Sequence, residues 1–176
     1  MRVGYFSTFW TILLDFVAWA AIHTGISYVF LRVPHRVLNP ESWLLRTRAL
    51  EAGGTLYEKL FRVRRWKMLL PSGGAWFRDG FSMKSLESRQ PEYLRTWVME
   101  SCRAEMCHWA AIPSSLLFFL WNPLPVGFVM ILYAIAFNLP CIVAQRYNRP
   151  RMLDILRKKD VIHFCPQSQA DPGSEK

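Results

Sequence analysis

The sequence is poor in the short motifs by which many enzymes and metal proteins are identified. Its four cysteines form no CxxC pair and fit no small disulfide framework, which excludes a zinc ribbon and a secreted, disulfide-stapled domain. It has no GxSxG nucleophile elbow, no internal repeat and no low-complexity block. We therefore expect the cysteines to be reduced residues that serve mostly in packing.

Acidic residues are also scarce. The 176 residues include 13 Asp and Glu against 22 Lys and Arg, which gives a net charge of +9. At the same time 52% of the residues are hydrophobic, with eight Trp, six Tyr and twelve Phe. Such a combination of apolar and basic residues is unusual in a soluble domain, and aromatic rings collect at the headgroup level of bilayers. The composition predicts a membrane protein that prefers anionic lipids.

Three apolar runs indicate membrane-crossing helices. Residues 5–31 contain only two ionisable side chains, Asp15 and His23, and as a helix they extend about 40 Å, enough to cross about 30 Å of hydrocarbon with tilt. The run is too long and too aromatic for a cleavable signal peptide, so we expect it to be retained. Residues 105–121 and 126–145, on either side of a WNPLP turn, predict two more crossings. For Asp15 and His23, pairing across helices and a catalytic role are both open.

The remaining segments are polar and basic. Residues 32–104 contain TLYEKLFRVRRWKMLL, whose mixture of Leu, Phe and Trp with Lys and Arg is typical of a helix in the membrane interface. Residues 146–176 predict a tail with a short amphipathic helix and a disordered end. The sequence thus predicts one all-α membrane domain, residues 1–176, with about three transmembrane helices and an interfacial amphipathic segment.

The distribution of basic residues predicts the orientation. Fourteen of the 22 Lys and Arg lie in residues 32–104 and seven in residues 146–176, whereas only Arg2 precedes the first apolar run. By the positive-inside rule, the middle section and the carboxyl tail face the cytoplasm and the amino terminus lies outside. We expect a multi-pass protein of the cell membrane.

Polar side chains cluster where the second crossing begins. In MESCRAEMCHW, Glu100 and Arg103, and likewise Glu105 and His108, are three residues apart and therefore neighbours on a helix. His108 and Asn138 each lie 15 residues from the centre of the WNPLP turn, so the two side chains are expected at the same height on facing helices. Because polar groups at such depth usually serve a site, we expect a polar pocket there.

This cluster has the composition of a general-base site. A carboxylate beside an imidazole fixes its tautomer and raises its basicity, so Glu105 is expected to orient His108, while Arg103 keeps Glu100 ionised. Two other interpretations stay open: His108 and Glu105 anchor the helix at the interface, or Cys102, Glu105 and His108 bind a metal ion. With no second histidine or cysteine pair nearby, no metal is expected.

Two basic stretches, RVRRWK and QRYNRPR, each contain an aromatic residue. The pattern occurs in nucleic-acid-binding proteins, but a position flat against a membrane argues against that partner. A lipid-facing or solvated stripe is one interpretation. The other is a site for the phosphates of a cosubstrate from the cytosol, bound by arginine forks and a stacking tyrosine. The candidate binding residues are Lys67, Arg146, Tyr147, Asn148, Arg149 and Arg151.

Longer stretches carry a family resemblance. VRRWKMLLP, ESCRAEMCHW and FNLPCIVAQRYNRPRM together resemble the glycosyl-4,4'-diaponeurosporenoate acyltransferase family, small bacterial membrane enzymes of staphyloxanthin-type carotenoid biosynthesis. The resemblance covers about residues 32–153, and its most specific parts are QRYNRPR and RAExxHW. It implies transfer of a fatty acyl group onto a sugar hydroxyl of a glycosylated carotenoid or related glycolipid. The family pattern falls on Trp66, Lys67, Glu100, Arg103, Glu105, His108, Trp109, Asn138, Pro140, Gln145, Arg146, Tyr147, Asn148, Arg149, Pro150 and Arg151.

The resemblance and the polar cluster together lead to one mechanistic expectation. His108, oriented by Glu105, deprotonates the acceptor hydroxyl, which attacks acyl-CoA or a similar acyl donor directly. A covalent acyl-enzyme is not expected, because neither the GxSxG elbow nor the HxxxxD signature of soluble glycerolipid acyltransferases is present. Asn138 or Asn148 would donate to the oxyanion, and no cofactor is expected to be tightly bound. The alternatives are a small membrane methyltransferase and a non-enzymatic membrane scaffold for pigment-synthesis enzymes.

Overall fold

The computed structural model describes residues 7–70, 81, 83 and 85–164, and within these ranges every regular element is a helix. The α-helices are α1 (Thr8–Leu31), α2 (Thr55–Phe61), α3 (Val63–Trp66), α4 (Pro91–Ser114) and α5 (Leu124–Phe164). Short 3₁₀ helices cover His35–Val37, Ala49–Gly54, Lys67–Leu69 and Ser115–Leu120. The predicted all-α class is therefore confirmed for the part of the chain that the structure describes.

Two helices have the length and composition of membrane spans. They are α1 and the stretch Leu124–Lys159 of α5. Both direct large apolar side chains outward: Phe16 is 72% exposed and Leu132 66%. Such surfaces suit a hydrocarbon environment, in agreement with the predicted membrane protein. The three crossings and the external amino terminus stay predictions.

The second apolar run is not one uninterrupted α-helix. α4 begins at Pro91, because the missing proline N–H falls in the first turn, where no helical partner is needed. Pro113 lies in the last turn of α4, and the chain continues from Ser115 to Leu120 as a 3₁₀ helix. Proline removes a backbone donor and crowds the preceding turn, which gives the change of helix type a local cause.

α5 is longer than the predicted third crossing. It runs from Leu124 to Phe164 and passes without a break from residues 126–145 into the segment expected to form a separate tail. The apolar pattern does end near residue 145. The helix continues beyond it because Arg146 and Arg149, in the next turn, find buried partners on other elements.

α4 packs most extensively against α5, and α1 lies against α4. Asp15, which is buried within α1, ties this helix to the turn before α5. Its carboxylate accepts hydrogen bonds from Trp121 Nε1 (2.7 Å) and Asn122 Nδ2 (2.8 Å). A carboxylate among apolar helices needs such donors. For Asp15, the contact observed is thus pairing across helices.

The chain between α1 and α2 approaches α5 closely at one glycine. Gly54 has a φ of +86°, and a Cβ placed on it would lie 2.9 Å from the backbone oxygen of Tyr147 and 2.9 Å from Arg151 Nη1. Both the left-handed backbone and the lack of space favour glycine. α2 therefore starts directly against α5 and brings the basic segment after it to the same end of the helix pair.

Candidate active site

A cavity of about 480 Å³ lies among α1, α4 and α5. Its lining residues recur every three or four positions along each helix, which is the spacing of one helix face; on α5, for example, Phe137, Cys141 and Gln145 line it. The lining changes along α5 from Tyr133 and Phe137 to Gln145 and Asn148. The cavity therefore has an apolar end and a polar end and is large enough for a small ligand or part of a larger one.

His108 lines the middle of this cavity with a fixed tautomer. Its Nδ1 lies 2.8 Å from Asn138 Oδ1, and the Nδ2 group of the same amide donates to the backbone oxygen of Ala134 at 2.8 Å. Because the second bond assigns the amide oxygen to the His108 side, Nδ1 must carry the hydrogen, which leaves the Nε2 lone pair of neutral His108 free to accept a proton. The predicted equal height of His108 and Asn138 is confirmed.

Glu105 does not contact His108. One carboxylate oxygen accepts from Arg146 Nε at 2.7 Å, and the other accepts from Arg149 Nη2 at 2.6 Å. The Glu105 side chain is fully buried, and α5 offers it two cations where His108 offers one weak donor. The expected orienting hydrogen bond is thus absent from the described residues, and Asn138 holds the imidazole instead. The Asn138 oxygen and one of its two N–H groups are engaged, and the side chain is fully buried, so its expected role as an oxyanion donor stays a prediction.

Arg149 is buried and Arg146 is partly exposed, and the guanidinium groups of both are bound to other parts of the chain. Arg149 is 1% exposed and donates to the backbone oxygen of Leu45 at 2.6 Å. Arg146 also reaches Glu51 at 2.7 Å and the backbone oxygen of Leu44. Both guanidinium groups therefore hold the chain before α2 against α4 and α5. The sequence predicted a phosphate site here because burial of these two arginines is not visible in a locally basic stretch.

The partners of Cys102, Glu105 and His108 contradict the interpretation of these three residues as a metal site. Cys102 Sγ lies 3.7 Å from Arg149 Nη1, beside the Glu105 carboxylate, whereas His108 is turned to Asn138. The three side chains do not converge. No group of three potential metal ligands occurs in the described parts of the chain.

The other candidates for the phosphate site gather around Tyr147. Arg151 lies over its ring at 3.7 Å and Lys67 Nζ at 5.2 Å, while Arg64 Nε donates to its hydroxyl at 2.8 Å. Tyr147 itself is 2% exposed, so its ring supports cations and does not present a free face for stacking a base. Three basic side chains thus surround one buried tyrosine near the polar end of the cavity.

Lys67 and Asn148 connect this basic group to the cavity. Both line it, and Lys67 Nζ donates to Asn148 Oδ1 at 2.8 Å. Burial, and after it the positive charges of Arg151 and Arg64, lower the pKa of Lys67. A bound anion would oppose this shift because it stabilises the ammonium form. The polar end of the cavity is therefore suited to an anionic group.

Glu100 and Arg103 form the pair that the sequence predicts, at 2.5 Å, and both line the cavity. Glu100 also lies 2.8 Å from His35 Nε2, and Arg103 Nη2 donates to the backbone oxygen of Val33 at 2.9 Å. The pair therefore joins the end of α1 to α4. The Glu100–Arg103 ion pair also supplies charged side chains to the lining of the cavity.

His23, for which a catalytic role was left open, and Gln145, which belongs to the family pattern but was given no role, both line the cavity. His23 stacks on Trp19 at 5.3 Å between ring centroids, and Gln145 follows one turn after Cys141. His23 lies two helical turns from Asp15, and this spacing of two ionisable residues in an apolar run is the signal in the sequence that points to His23. Gln145 stands at the start of QRYNRPR, where a neutral amide attracts less attention than the arginines that follow.

Comparisons with known proteins identify the family of this chain. The family model for glycosyl-4,4'-diaponeurosporenoate acyltransferase matches residues 40–158. A protein of that name from Staphylococcus haemolyticus is 31% identical over 141 residues, 80% of this chain and 81% of its own. One from Staphylococcus aureus is 29% identical over 139 residues, 79% of this chain and 84% of its own. No solved structure matches significantly.

The matched residues 40–158 include α2 to α4, most of α5 and the hydrogen-bonded pair of His108, which lines the cavity, and Asn138, which is buried behind it. They make up more than half of the chain. The protein therefore belongs to the glycosyl-4,4'-diaponeurosporenoate acyltransferase family and is an acyltransferase.

Proposed function

We propose that this acyltransferase moves a fatty acyl group onto a sugar hydroxyl of a glycosylated carotenoid or related glycolipid, with His108 as the general base. The observation that carries the proposal is the hydrogen bond from His108 Nδ1 to Asn138 Oδ1, which leaves Nε2 as a proton acceptor in the cavity. The acceptor class is that in the names of the relatives. The apolar end of the cavity, with Trp19 and Phe137, suits a hydrocarbon chain.

The chemical step follows from the free nitrogen. His108 Nε2 takes the proton of the acceptor hydroxyl while the hydroxyl oxygen attacks the acyl carbonyl carbon. The tetrahedral intermediate then collapses, the bond to the leaving group breaks, and the imidazolium returns the proton to that leaving group. Glu105, which the sequence placed next to His108, has no part in this step because its oxygens are bound to arginines.

The acyl donor is a cosubstrate with acidic groups, such as acyl-CoA, and not a tightly bound cofactor. Lys67 and Arg151, with Arg64 beside them, supply positive charge next to the polar end of the cavity. Asn148, held by Lys67, is the remaining amide at this end. We assign the donor phosphates to this basic group and leave Arg146 and Arg149 out of it.

The membrane arrangement belongs to the same proposal. The basic end of the cavity faces the cytoplasm, where an acyl donor is made, and the amino terminus lies outside, with three crossings of the cell membrane. A fusion of green fluorescent protein to the carboxyl terminus is expected to fluoresce. A fusion of alkaline phosphatase after Asn122 is expected to be active, and inactivity there contradicts the proposed topology.

The deciding experiment is expression of the chain in bacteria that make a glycosylated carotenoid, followed by mass spectrometry of the pigments. The expected product is a new, less polar ester that carries one acyl chain. His108→Ala is expected to abolish it while the protein stays in the membrane fraction. Glu41→Gln, a change in an exposed side chain, is the matched control.

The other two functions give different results in the same experiment. A methyltransferase adds one methyl group in place of an acyl chain. A scaffold leaves the product pattern unchanged in His108→Ala, provided that the protein accumulates normally. Full acyl transfer by His108→Ala contradicts the assignment of the base.

A further inference from the structure

Three polar atoms at the cavity are buried without a hydrogen-bond partner in the described part of the chain. They are His23 Nε2, Arg103 Nε and Gln145 Oε1. All three residues line the cavity, and they come from three different helices, α1, α4 and α5. Because native proteins pair nearly all of their buried polar atoms, three unpaired atoms around one cavity indicate that molecules in the cavity, water or a ligand that displaces it, supply the partners.

The chemistry of these atoms restricts the ligand. Arg103 Nε can only donate a hydrogen bond, Gln145 Oε1 can only accept one, and His23 Nε2 does either, according to its tautomer. A phosphate or carboxylate offers only acceptors and leaves Gln145 unpaired. A hydrocarbon chain offers neither. A group with several hydroxyls both donates and accepts, so a sugar matches the set.

We propose that His23, Arg103 and Gln145 form a sugar subsite in the cavity, which holds the glycosyl group of the acceptor with one hydroxyl at His108 Nε2. This inference rests on the proposed function for the identity of the sugar-bearing molecule, but the subsite itself is a binding property. It assigns a role to α1, whose His23 lies outside the matched residues 40–158. His23 and Gln145 are then specificity residues, which choose a glycosylated acceptor over a simple alcohol.

Two variants remove the polar atoms and keep the packing. His23→Phe retains a ring against Trp19 and Phe137, and Gln145→Leu retains a side chain of similar length. Arg103 is left unchanged because its bonds to Glu100 and Val33 join α1 to α4. Gly25→Ala is the matched control on α1, since an added Cβ meets nothing within 4 Å there.

Binding is measured without catalysis. The protein is purified in a detergent that has no sugar. Octyl glucoside, kept below its critical micelle concentration, or octanol is then added while tryptophan fluorescence is recorded. Trp19 and Trp97 line the cavity and report on occupancy. Octyl glucoside is expected to bind more tightly than octanol. His23→Phe and Gln145→Leu are each expected to weaken it about tenfold, as the loss of one hydrogen bond to a buried partner does, with no change in Gly25→Ala.

The outcomes separate the subsite from the proposed function. Equal binding of octyl glucoside and octanol, or unchanged binding in both variants, overturns the subsite. Sugar-dependent binding without any acyl transfer supports the subsite and contradicts the proposed function. In an active preparation, the subsite predicts a raised KM for the glycosylated acceptor in both variants with an unchanged KM for the acyl donor; a fall in kcat alone overturns it.

Discussion

Replacement of Glu105 by Gln tests whether this residue is structural or catalytic. Glu105 is fully buried and neutralises Arg146 and Arg149 at 2.7 and 2.6 Å. In Glu105→Gln, Arg146 keeps Glu51 at 2.7 Å, but Arg149, which is 1% exposed, keeps only neutral acceptors: the Leu45 oxygen, the weak acceptor of Cys102 and the new amide oxygen. The variant therefore contains one buried cation without a counter-charge.

The size of the effect follows from that cation. Removal of one partner from a buried ion pair costs about 3–5 kcal/mol of folding free energy. For a chain of this size, 1 kcal/mol shifts Tm by roughly 2–4 °C, so Tm is expected to fall by about 6–20 °C. The assay is thermal denaturation in mild detergent, followed by helical circular dichroism. The exposed pair of Glu41 and Arg157, 3.6 Å apart, is the control, and Glu41→Gln is expected to change stability by at most about 1 kcal/mol.

A second variant separates lost charge from lost packing. Glu105→Gln combined with Arg149→Met removes the unpaired cation and is expected to recover much of the lost Tm, since apolar side chains of similar volume replace buried ion pairs well. The reasoning is refuted by a Glu105→Gln variant that melts with the wild type. If such a variant also loses acyl transfer, Glu105 acts on the chemistry, as its spacing from His108 suggested.

Three further changes test other parts of the structure. Gly54→Ala is expected to lower the free energy of unfolding by about 2 kcal/mol, because its φ is +86° and its Cβ meets backbone at 2.9 Å, whereas Gly25→Ala is expected to raise it by up to about 1 kcal/mol; chemical denaturation compares the two. Asp15→Leu is expected to lower the free energy of unfolding by about 2 kcal/mol, because it leaves the indole N–H of Trp121 and the amide N–H of Asn122 without an acceptor. The same measurement tests this, and an unchanged stability would show that water pairs both donors. Asn138→Leu is expected to lower kcat about ten- to a hundredfold, part of the contribution of a general base, whereas Asn138→Asp keeps the acceptor for Nδ1 and retains more activity; equal rates in the two variants would contradict the fixed tautomer.

Helix arithmetic predicted those parts of the site that depend on one helix or on one short turn. His108 and Asn138 are equally far from the WNPLP turn, and they form a hydrogen bond. Glu100 and Arg103 are three residues apart, and they pair. In both cases the chain between the two residues fixes their distance, so sequence spacing is sufficient.

The remaining parts depend on contacts between distant segments. Glu105 had a local neighbour in His108, but the guanidinium groups of Arg146 and Arg149 offer stronger charge-assisted bonds. Which face of α5 turns inward is set by packing, and nothing in QRYNRPR distinguishes buried arginines from exposed ones. For the same reason the sequence named His23 and Gln145 but gave neither a definite role, because lining a cavity is a property of three helices together.

The buried acidic and basic residues are synthesised at different times. A ribosome makes Glu51 first and Glu105 next, and the two arginines that neutralise them emerge only with the second half of α5. Neither carboxylate therefore has its counter-charge until this part of α5 has been made. A chain that stops at Gln145 has every apolar segment but neither arginine, so both buried carboxylates lack a counter-charge in it.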